Sequence, residues 1–274
     1  GAAMAIARQK FRWPGVKRKA LQAFNYVLAG DPATSKALIR AGAKKANVAV
    51  TGVIEPTMPA LPCHDGERED FAGLLTARPV WLAAEVTLGE AELIIAAHAL
   101  AIRKTHRLLL IIVPSDAGDT PEFQKLLNQY DLIYEQRSAL MDPDKETQVY
   151  LADTTDEMGL WYRLAPVSYI GGTGRGSKDP GPSPFDAAAL GSAILHGPVT
   201  QAHQSQFERL SRANAAIQVV NAEDLAFAVT SLGAPDRAAE MAHSAWSVCS
   251  AGAEAIERVH DLLTVAIERR KKKP

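Results

Sequence analysis

The chain has 274 residues, of which 47% are hydrophobic and 22% charged, a composition typical of a globular protein with a substantial core. The longest apolar runs, 93–102 and 108–113, are much shorter than the roughly 20 residues of a transmembrane helix, so we expect none. Two cysteines, Cys63 and Cys249, and no recognisable signal peptide favour a reducing cytosolic setting over a disulfide scaffold or a cysteine-based zinc site.

The net charge of −1 conceals an uneven distribution of charge. Residues 1–45 contain ten Lys or Arg and one acid, Asp31, so they carry +9 and leave −10 for the remaining 229 residues. The basic run 8–19 is typical of a surface attracted to anionic lipid or to a phosphorylated substrate, and equally of a solvated helix face. It lacks the signatures of nucleic-acid-binding modules, so no nucleic-acid partner is expected.

The first elements form a strand–helix–strand unit. Residues 26–31 are a short apolar run ending at Asp31, which is a candidate helix N-cap followed by Pro32 at the first helical position. A second strand is predicted at 47–51. This unit is too small to close a domain on its own. The proline-rich and polar residues that follow predict a linker at 53–78, with a short helix near 71–75.

Beyond the linker, short apolar strands alternate with helical patterns, which indicates parallel strands joined by crossover helices. Near-continuous apolar strands such as 108–113 fit a sheet covered on both faces. We therefore predict a doubly wound α/β domain, whose ligands bind outside the carboxyl ends of the strands. The predicted strands are 79–84, 107–113, 132–134, 148–151, 167–170, 193–196 and 216–219. The predicted helices are 89–105, 120–130, 156–164, 184–191, 201–213 and 221–232, with two more after Pro235.

A glycine-rich loop between the strand at 167–170 and the helix at 184–191 is the most informative segment. Gly171, Gly172 and Gly174 let backbone N–H groups approach a phosphate closely, and the following helix adds its positive end. The loop is neither a P-loop nor a dinucleotide fingerprint, because three prolines delay the helix. A mobile turn is the alternative. Asp186 in the first helical turn can accept hydrogen bonds from a ribose or merely favour the helix dipole.

These residues resemble the C-terminal domain of 3-deoxy-D-manno-octulosonic acid (Kdo) transferases, enzymes of lipopolysaccharide assembly. The resemblance covers most of the chain and rests on short sequence motifs that occur in the same order as in the family. They are Val50-Thr-Gly52, Arg78-Pro-Val-Trp-Leu-Ala-Ala84, Leu110-Ile-Ile-Val-Pro114, Leu151-Ala-Asp-Thr-Thr-Asp-Glu-Met-Gly-Leu160, Trp161-Tyr-Arg-Leu-Ala-Pro-Val167, Gly171-Gly172, Ser183-Pro-Phe-Asp-Ala-Ala-Ala-Leu-Gly191, Gly197-Pro198 and Ala215-Ala-Ile-Gln218.

The resemblance implies a GT-B glycosyltransferase, in which two Rossmann-like domains face a cleft and Kdo passes from CMP-Kdo to a lipid A precursor. It implies that residues 1–52 end the N-terminal acceptor domain, 53–78 form the linker and 79–274 bind the nucleotide sugar. The catalytic base and any membrane anchor belong to the N-terminal domain, so this chain is expected to bind the donor and to be inactive alone. The intact protein is expected at the cytoplasmic side of the bacterial inner membrane, without a metal or cofactor.

The resemblance assigns donor binding to ten residues: Gly171, Gly172, Gly174, Arg175, Lys178, Ser183, Asp186, Glu157, Met158 and Gly159. For several of them a structural role is the alternative. Arg175 and Lys178 can replace lost positive charge or be solvated loop cations. Glu157 can contact the nucleotide or serve the start of a helix with Thr154, and Met158 can belong to the core.

Several positions depart from the family. Ser115 and Asp116 stand where the family has Arg-His, Val199 and Ala202 replace a His and an Asn, Ser183 replaces an Asn, and Asp186 replaces a Glu. After Ala84 the family's Ser-Thr-His-x-Gly-Glu becomes Glu85-Val-Thr-Leu-Gly-Glu90. These departures favour two alternatives, a non-catalytic nucleotide-binding protein and a GT-B enzyme with another nucleotide sugar.

The seven histidines show no metal-ligand spacing, and His98 fits a core histidine with internal hydrogen bonds better than a metal ligand. His196 ends a strand and can line the cleft. The sequence leaves the acceptor and the oligomeric state open.

Overall fold

The computed structural model describes residues 15–52, 60–75 and 78–271, and only the backbone of 253–255 and 266–271. The chain divides into two compact units. The first contains residues 15–52 together with 250–271, and the second contains residues 60–249. The predicted division into 1–52, 53–78 and 79–274 stays a prediction. The basic run 8–19 lies mostly outside the described residues, although its last residues begin helix α1.

The first unit contains the predicted strand–helix–strand pattern. Strands β1 (Val27–Ala29) and β2 (Val48–Val50) pair in parallel, between helices α1 (Val16–Gln22) and α2 (Pro32–Arg40). Asp31 caps α2, because its Oδ1 accepts a hydrogen bond of 2.8 Å from the Thr34 amide. A small core of leucine, valine and alanine side chains lies between these elements.

The second unit is built on a seven-stranded parallel sheet of order β5-β6-β4-β3-β7-β8-β9. Chain order runs outward from β3 through β4 to one edge and then returns to β7 on the other side of β3. The switch point of the sheet therefore lies between β3 and β7. The strands are β3 (Val80–Val86), β4 (Leu109–Pro114), β5 (Tyr134–Gln136), β6 (Val149–Leu151), β7 (Val167–Ile170), β8 (Ala193–His196) and β9 (Ala216–Gln218).

Helices cover both faces of this sheet, and two hydrophobic clusters lie between the layers. The predicted α/β fold is confirmed, because β4 and β7 are buried along their whole length, as a doubly covered sheet requires. The helices are α3 (Asp65–Leu74), α4 (Leu88–Ile102), α5 (Thr120–Gln129), α6 (Met158–Leu164), α7 (Pro184–Ala189), α8 (Gln204–Arg212), α9 (Ala222–Leu232) and α10 (Pro235–Lys271).

Two elements differ from the sequence prediction. The two helices predicted after Pro235 are wrong, since α10 is one continuous helix of 37 residues. No proline interrupts it, and Gly252 costs only about 1 kcal/mol in a helix, too little to break it. The predicted short helix at 71–75 is longer and begins at Asp65, within the segment interpreted as a linker. Phe71 of α3 is buried against Tyr150 and Trp161 of the second unit.

Candidate functional site

The glycine-rich loop leaves β7 at the switch point and lies directly against the end of β3. The Gly171 amide donates a 2.8 Å hydrogen bond to the carbonyl of Ala84. A Cβ on Gly171 would meet the carbonyl oxygen of Glu85 at 2.1 Å, so only glycine allows this approach. The loop is thereby held at the carboxyl edge of the sheet, where ligands of doubly wound folds bind.

Glu90 organises the loop from the first turn of α4. Its buried carboxylate accepts hydrogen bonds from the amides of Gly172 (2.8 Å) and Gly174 (2.6 Å) and from the Tyr169 hydroxyl (3.0 Å). It also completes a capping box with Thr87. Two loop amides that could face a phosphate are thus already bonded to a carboxylate. The sequence analysis named Glu90 only within a motif that was compared with the family. The Thr-x-x-Glu pattern of Thr87 and Glu90 could have indicated the capping role.

Thr173 continues the loop towards β8. Its hydroxyl donates to the Ile170 carbonyl (2.6 Å) and accepts from the Gly197 amide (2.7 Å), which joins the loop to the residues after β8. Gly172 has φ +70°, and a Cβ there would lie 2.6 Å from the Gly181 nitrogen. The two ends of the loop are therefore packed against each other, and the loop is folded rather than extended.

The two loop cations, Arg175 and Lys178, are exposed, and no salt bridge to either is found in the part of the chain that the structure describes. Lys178 lines a cavity of about 200 Å³ together with Asp179 and His203. Arg175 lines a smaller one of about 120 Å³ beside Glu90. Both cations are thus exposed to solvent beside a cavity.

Ser183 and Asp186 lie at the start of α7. The Ser183 hydroxyl caps the helix by accepting from the Phe185 amide at 3.2 Å and donates to Gln206 at 3.0 Å. The Asp186 carboxyl is half-buried, and this burial raises its pKa, which the nearby His203 opposes. Ser183 thus has a structural role in capping the helix. The carboxyl of Asp186 is a partly buried hydrogen-bond acceptor at the carboxyl edge of the sheet.

Glu85 adds a second partly buried carboxyl to this edge. Burial raises its pKa, and the negative charges of Asp179 and Asp186 raise it further. Burial raises the pKa of the phenol of Tyr162 in α6, and the negative charges of Glu85 and Asp186 raise it further. The Tyr162 hydroxyl has no hydrogen-bond partner among the described residues. Sequence reasoning noted Glu85 only as a departure from the family and missed this grouping.

Glu85 also has an uncommon backbone conformation. Its φ is +49°, in the left-handed region that side chains other than glycine seldom adopt. The register between β3 and β4 shifts between Ala83 and Val86, so the irregularity falls within the strand end. This irregularity changes the direction of the backbone at the end of β3, where the glycine-rich loop approaches.

The second group of predicted donor residues lies at the start of α6 and is held by structural contacts. Glu157 forms an ion pair with Arg137 (2.6 Å) and accepts from the Thr154 hydroxyl. Arg137 also pairs with Glu67 of α3 and lies over the rings of Phe71 and Trp161. These contacts lower the pKa of Glu157 against the opposing effect of burial and raise that of Arg137.

Met158 and Gly159 follow Glu157 and pack inward. Met158 is partly buried against the core. A Cβ on Gly159 would meet the Pro62 carbonyl oxygen at 2.0 Å. The absence of a side chain therefore allows the segment before α3 to pack closely against α6. A donor contact by Glu157, Met158 and Gly159 stays a prediction, since each of them already has a structural role.

No family model matches the chain. It is 27% identical to the Kdo transferase of Haemophilus influenzae over 194 residues, which are 70% of this chain and 45% of the relative. It is 29% identical to the Kdo transferase of Bordetella pertussis over 269 residues, 92% of this chain and 62% of that protein. The C-terminal CMP-Kdo binding domain of WaaA from Acinetobacter baumannii matches with a TM-score of 0.61 and 25% identity, covering 68% of this chain and 98% of that domain. The chain is therefore similar to Kdo transferases over most of its length.

The fold is that of a GT-B glycosyltransferase. Sucrose-phosphate synthase from Thermosynechococcus elongatus, 14% identical, matches 95% of this chain and 66% of its own length with a TM-score of 0.50, which shows a shared fold alone. The chain spans about half of one curated family member and about three-fifths of the other. The resemblance to Kdo transferases that the sequence predicted is therefore confirmed, and so is the fold.

Four of the positions that depart from the Kdo transferase pattern are exposed or line the small loop cavity. Asp116 accepts a 2.8 Å hydrogen bond from the Gly118 amide, and both Ser115 and Asp116 are exposed at the carboxyl end of β4. Val199 and Ala202 line the cavity of about 200 Å³ beside Lys178. The carboxyl edge of the sheet thus gains negative charge and loses polar side chains.

Two histidines are held by internal contacts. His98 is buried, with Nδ1 accepting from Trp81 Nε1 (3.2 Å) and Nε2 donating to the Gln148 carbonyl (2.9 Å). Because Trp81 Nε1 can only donate, the imidazole is the neutral Nε2–H form. The expectation of a satisfied core histidine is confirmed. His196 contacts the Gly197 carbonyl through Nδ1 (2.6 Å) and packs on the Phe207 ring at 4.6 Å.

Neither a metal nor a membrane span is indicated within the described ranges. No group of three or more His, Cys, Asp or Glu side chains there is arranged to hold a metal ion. None of the helices described has the length and apolar character needed to cross a bilayer.

Proposed function

We propose that this chain supplies the sugar-nucleotide-binding part of a Kdo transferase, which moves Kdo from CMP-Kdo to a lipid A precursor at the cytoplasmic face of the inner membrane. The observation that carries the proposal is the glycine-rich loop at the switch point of the sheet, in a fold similar to the CMP-Kdo binding domain of WaaA. In doubly wound folds this place receives the nucleotide.

The proposed chemistry is attack of an acceptor hydroxyl on the anomeric carbon of the donor, with the nucleotide phosphate as leaving group. Arg175 and Lys178 are exposed on the loop and carry no ion pair within the described part, so they can stabilise charge that develops on that phosphate. Asp186 is a partly buried acceptor suited to the ribose hydroxyls. No residue described in this chain is assigned as the base that removes the acceptor proton.

Calorimetric titration with CMP, with UMP and UDP as controls, tests the proposal. We expect selective CMP binding that Asp186→Asn weakens about tenfold, since one charge-assisted hydrogen bond contributes about 1.4 kcal/mol or more. Asp142→Asn, which changes an exposed aspartate away from the loop, is the matched control and should bind like the unaltered chain. Equal binding by Asp186→Asn would contradict the assigned donor site.

A second candidate is a GT-B protein whose donor is another nucleotide sugar. It is favoured by the carboxyls of Glu85, Asp179 and Asp186 at the ligand edge, and by Asp116 in place of a basic residue. A negatively charged edge disfavours the carboxylate of Kdo and suits a donor whose sugar carries no carboxylate. A preference for UDP over CMP in the same titration would favour this candidate. The absence of binding to all three nucleotides would favour a non-catalytic protein.

A further inference from the structure

A cavity of about 700 Å³ lies at the amino-terminal edge of the seven-stranded sheet, opposite the edge that carries the glycine-rich loop. It lies where β3 and β7 begin, and residues of α3, α6, α9 and α10 surround it. We call it the basal cavity. Its volume is within the range of small-molecule sites. All of its lining residues belong to the second unit.

The wall of the basal cavity is largely apolar. The larger lining side chains that are buried are Leu75, Trp81, Leu108, Val229 and Leu232. The apolar lining residues that are exposed or partly exposed include Ala72, Pro79, Leu164, Pro166 and Ala239. These exposed apolar residues come from α3, α6, α10 and the segments just before β3 and β7. An apolar ligand or an apolar part of a ligand would bury this surface from water.

The charged side chains among the described lining residues are three arginines, Arg68, Arg78 and Arg163, and no carboxylate is among them. Arg78 donates to the carbonyls of Arg107 (2.9 Å), Asp144 (2.7 Å) and Thr147. Arg163 donates to the carbonyls of Leu61 (2.9 Å) and Gly159 (2.7 Å). Both guanidinium groups are therefore fixed in place by neutral oxygens.

Acidic residues that do not line the cavity lie near two of these arginines, Arg68 and Arg78. Arg68 makes long contacts of 3.8 Å with Asp65 and Glu69, whose side chains are strongly exposed. Burial and the neighbouring Arg107 lower the pKa of Arg78, while Asp144 and Glu146, which do not line the cavity, act in the opposite direction. A partly buried cation such as Arg78 gains from an anionic partner.

We propose that the basal cavity binds a single-chain fatty acid, whose acyl chain fills the apolar wall and whose carboxylate lies among Arg68, Arg78 and Arg163. Guanidinium groups match the planar carboxylate through paired hydrogen bonds. A neutral lipid would leave the fixed cations without an anion, and a wholly polar anion would leave the apolar wall exposed to water. The fatty acid satisfies both parts of the lining.

Binding of cis-parinaric acid, a fluorescent fatty acid, tests the proposal on the full chain. We expect a saturable rise in fluorescence with one site per chain. Ala239→Trp places a large side chain at an exposed lining position of α10 and should weaken binding by about tenfold or more, as overpacking of the cavity predicts. Ala117→Trp, at an exposed position of the second unit just after the carboxyl end of β4, is the control and should leave binding unchanged.

The charge requirement has its own test. Palmitate should displace the probe at lower concentration than hexadecanol, which has the same chain without the carboxylate. Arg68→Gln should weaken palmitate about threefold, whereas Arg212→Gln, an exposed arginine elsewhere, should not. Absence of a saturable signal, equal binding by Ala239→Trp, or equal displacement by palmitate and hexadecanol would each overturn the proposal.

Discussion

The carboxylate of Glu90 and the amide of Gly174 lie 2.6 Å apart, although 84 positions separate them in the chain. This hydrogen bond joins the first turn of α4 to the glycine-rich loop. Because the same carboxylate also accepts from Gly172 and Tyr169, the loop is fixed by a buried anion. Loop conformation therefore depends on the charge and shape of one side chain.

Glu90→Gln should destabilise the chain by about 2 kcal/mol, because the new amide group presents a donor to loop amides that need an acceptor. Urea unfolding at pH 7 measures the change. Glu92→Gln, on the exposed face of the same helix, is the matched control and should change the free energy of unfolding by less than about 0.5 kcal/mol. Equal stability of the two variants would show that Glu90 does not fix the loop.

The stability of the chain should fall as the pH drops below about 6.5, because of His98. Burial lowers the pKa of His98 to about 3, so the folded chain keeps it neutral while the unfolded chain binds a proton below its ordinary pKa of 6.5. The contribution of neutral His98 to the free energy of unfolding is thus complete above pH 6.5. It is lost progressively towards pH 3, by up to about 1.4 kcal/mol per pH unit.

Urea unfolding between pH 8 and pH 5 measures this loss, above the range in which carboxyl groups with lowered pKa contribute. His98→Gln should make the dependence shallower, whatever its own stability at pH 8. Burial also lowers the pKa of His196, so a smaller slope should remain. His106→Gln removes an exposed histidine and should keep the dependence of the unaltered chain. An unchanged slope in His98→Gln would rule out His98 as the source.

The ion pair of Arg137 with Glu157 and Glu67 should contribute far more than an exposed pair. Arg137→Met leaves two partly buried carboxylates near each other and should cost about 2–3 kcal/mol in urea unfolding. Arg212→Met removes an exposed pair with Glu208 and should cost less than about 0.5 kcal/mol. In the double variant Arg137→Met/Glu157→Gln the loss should be smaller than the sum of the single losses. Additive losses would mean that the pair is not coupled.

Gly159→Ala should destabilise the chain by about 2 kcal/mol or more, since its Cβ would collide with the Pro62 carbonyl at 2.0 Å. Gly73→Ala is the control, because a Cβ there meets nothing within 4 Å, and it should be neutral or stabilising by up to about 1 kcal/mol. Thermal unfolding followed by circular dichroism separates the two. A stable Gly159→Ala variant with weaker CMP binding would instead indicate a donor contact at this position.

Glu85→Gln should strengthen CMP binding at pH 8, because it removes a negative charge from the edge where the phosphate is expected to lie. The pKa of Glu85 is raised in the folded chain, so its ionisation at high pH disfavours folding. The free energy of unfolding of Glu85→Gln should therefore increase relative to that of the unaltered chain as the pH rises. Calorimetry with CMP and with uncharged cytidine measures the first effect, and cytidine affinity should not change. Weaker CMP binding by Glu85→Gln would indicate that Glu85 accepts a hydrogen bond from the ligand.

Local patterns in the sequence were enough to predict most elements of the fold. Apolar runs such as 167–170 and 193–196 match β7 and β8, because a strand buried on both faces leaves no room for polar residues. The Asp31-Pro32 pair marked the start of α2 through capping chemistry that acts within a few residues. The glycine-rich loop was predicted at the ligand edge for the same reason, since its glycines follow directly after a strand.

Only the tertiary structure decided how distant side chains meet. The sequence could not place Glu90 on the amides of Gly172 and Gly174, nor bring Glu85, Asp186 and Tyr162 together, because these residues belong to different elements joined by the order of strands in the sheet. It also assigned Glu157 and Gly159 to donor binding without seeing Arg137 and Pro62. Periodicity reports the burial of one element at a time, whereas long-range hydrogen bonds and close backbone approaches arise only when the elements pack.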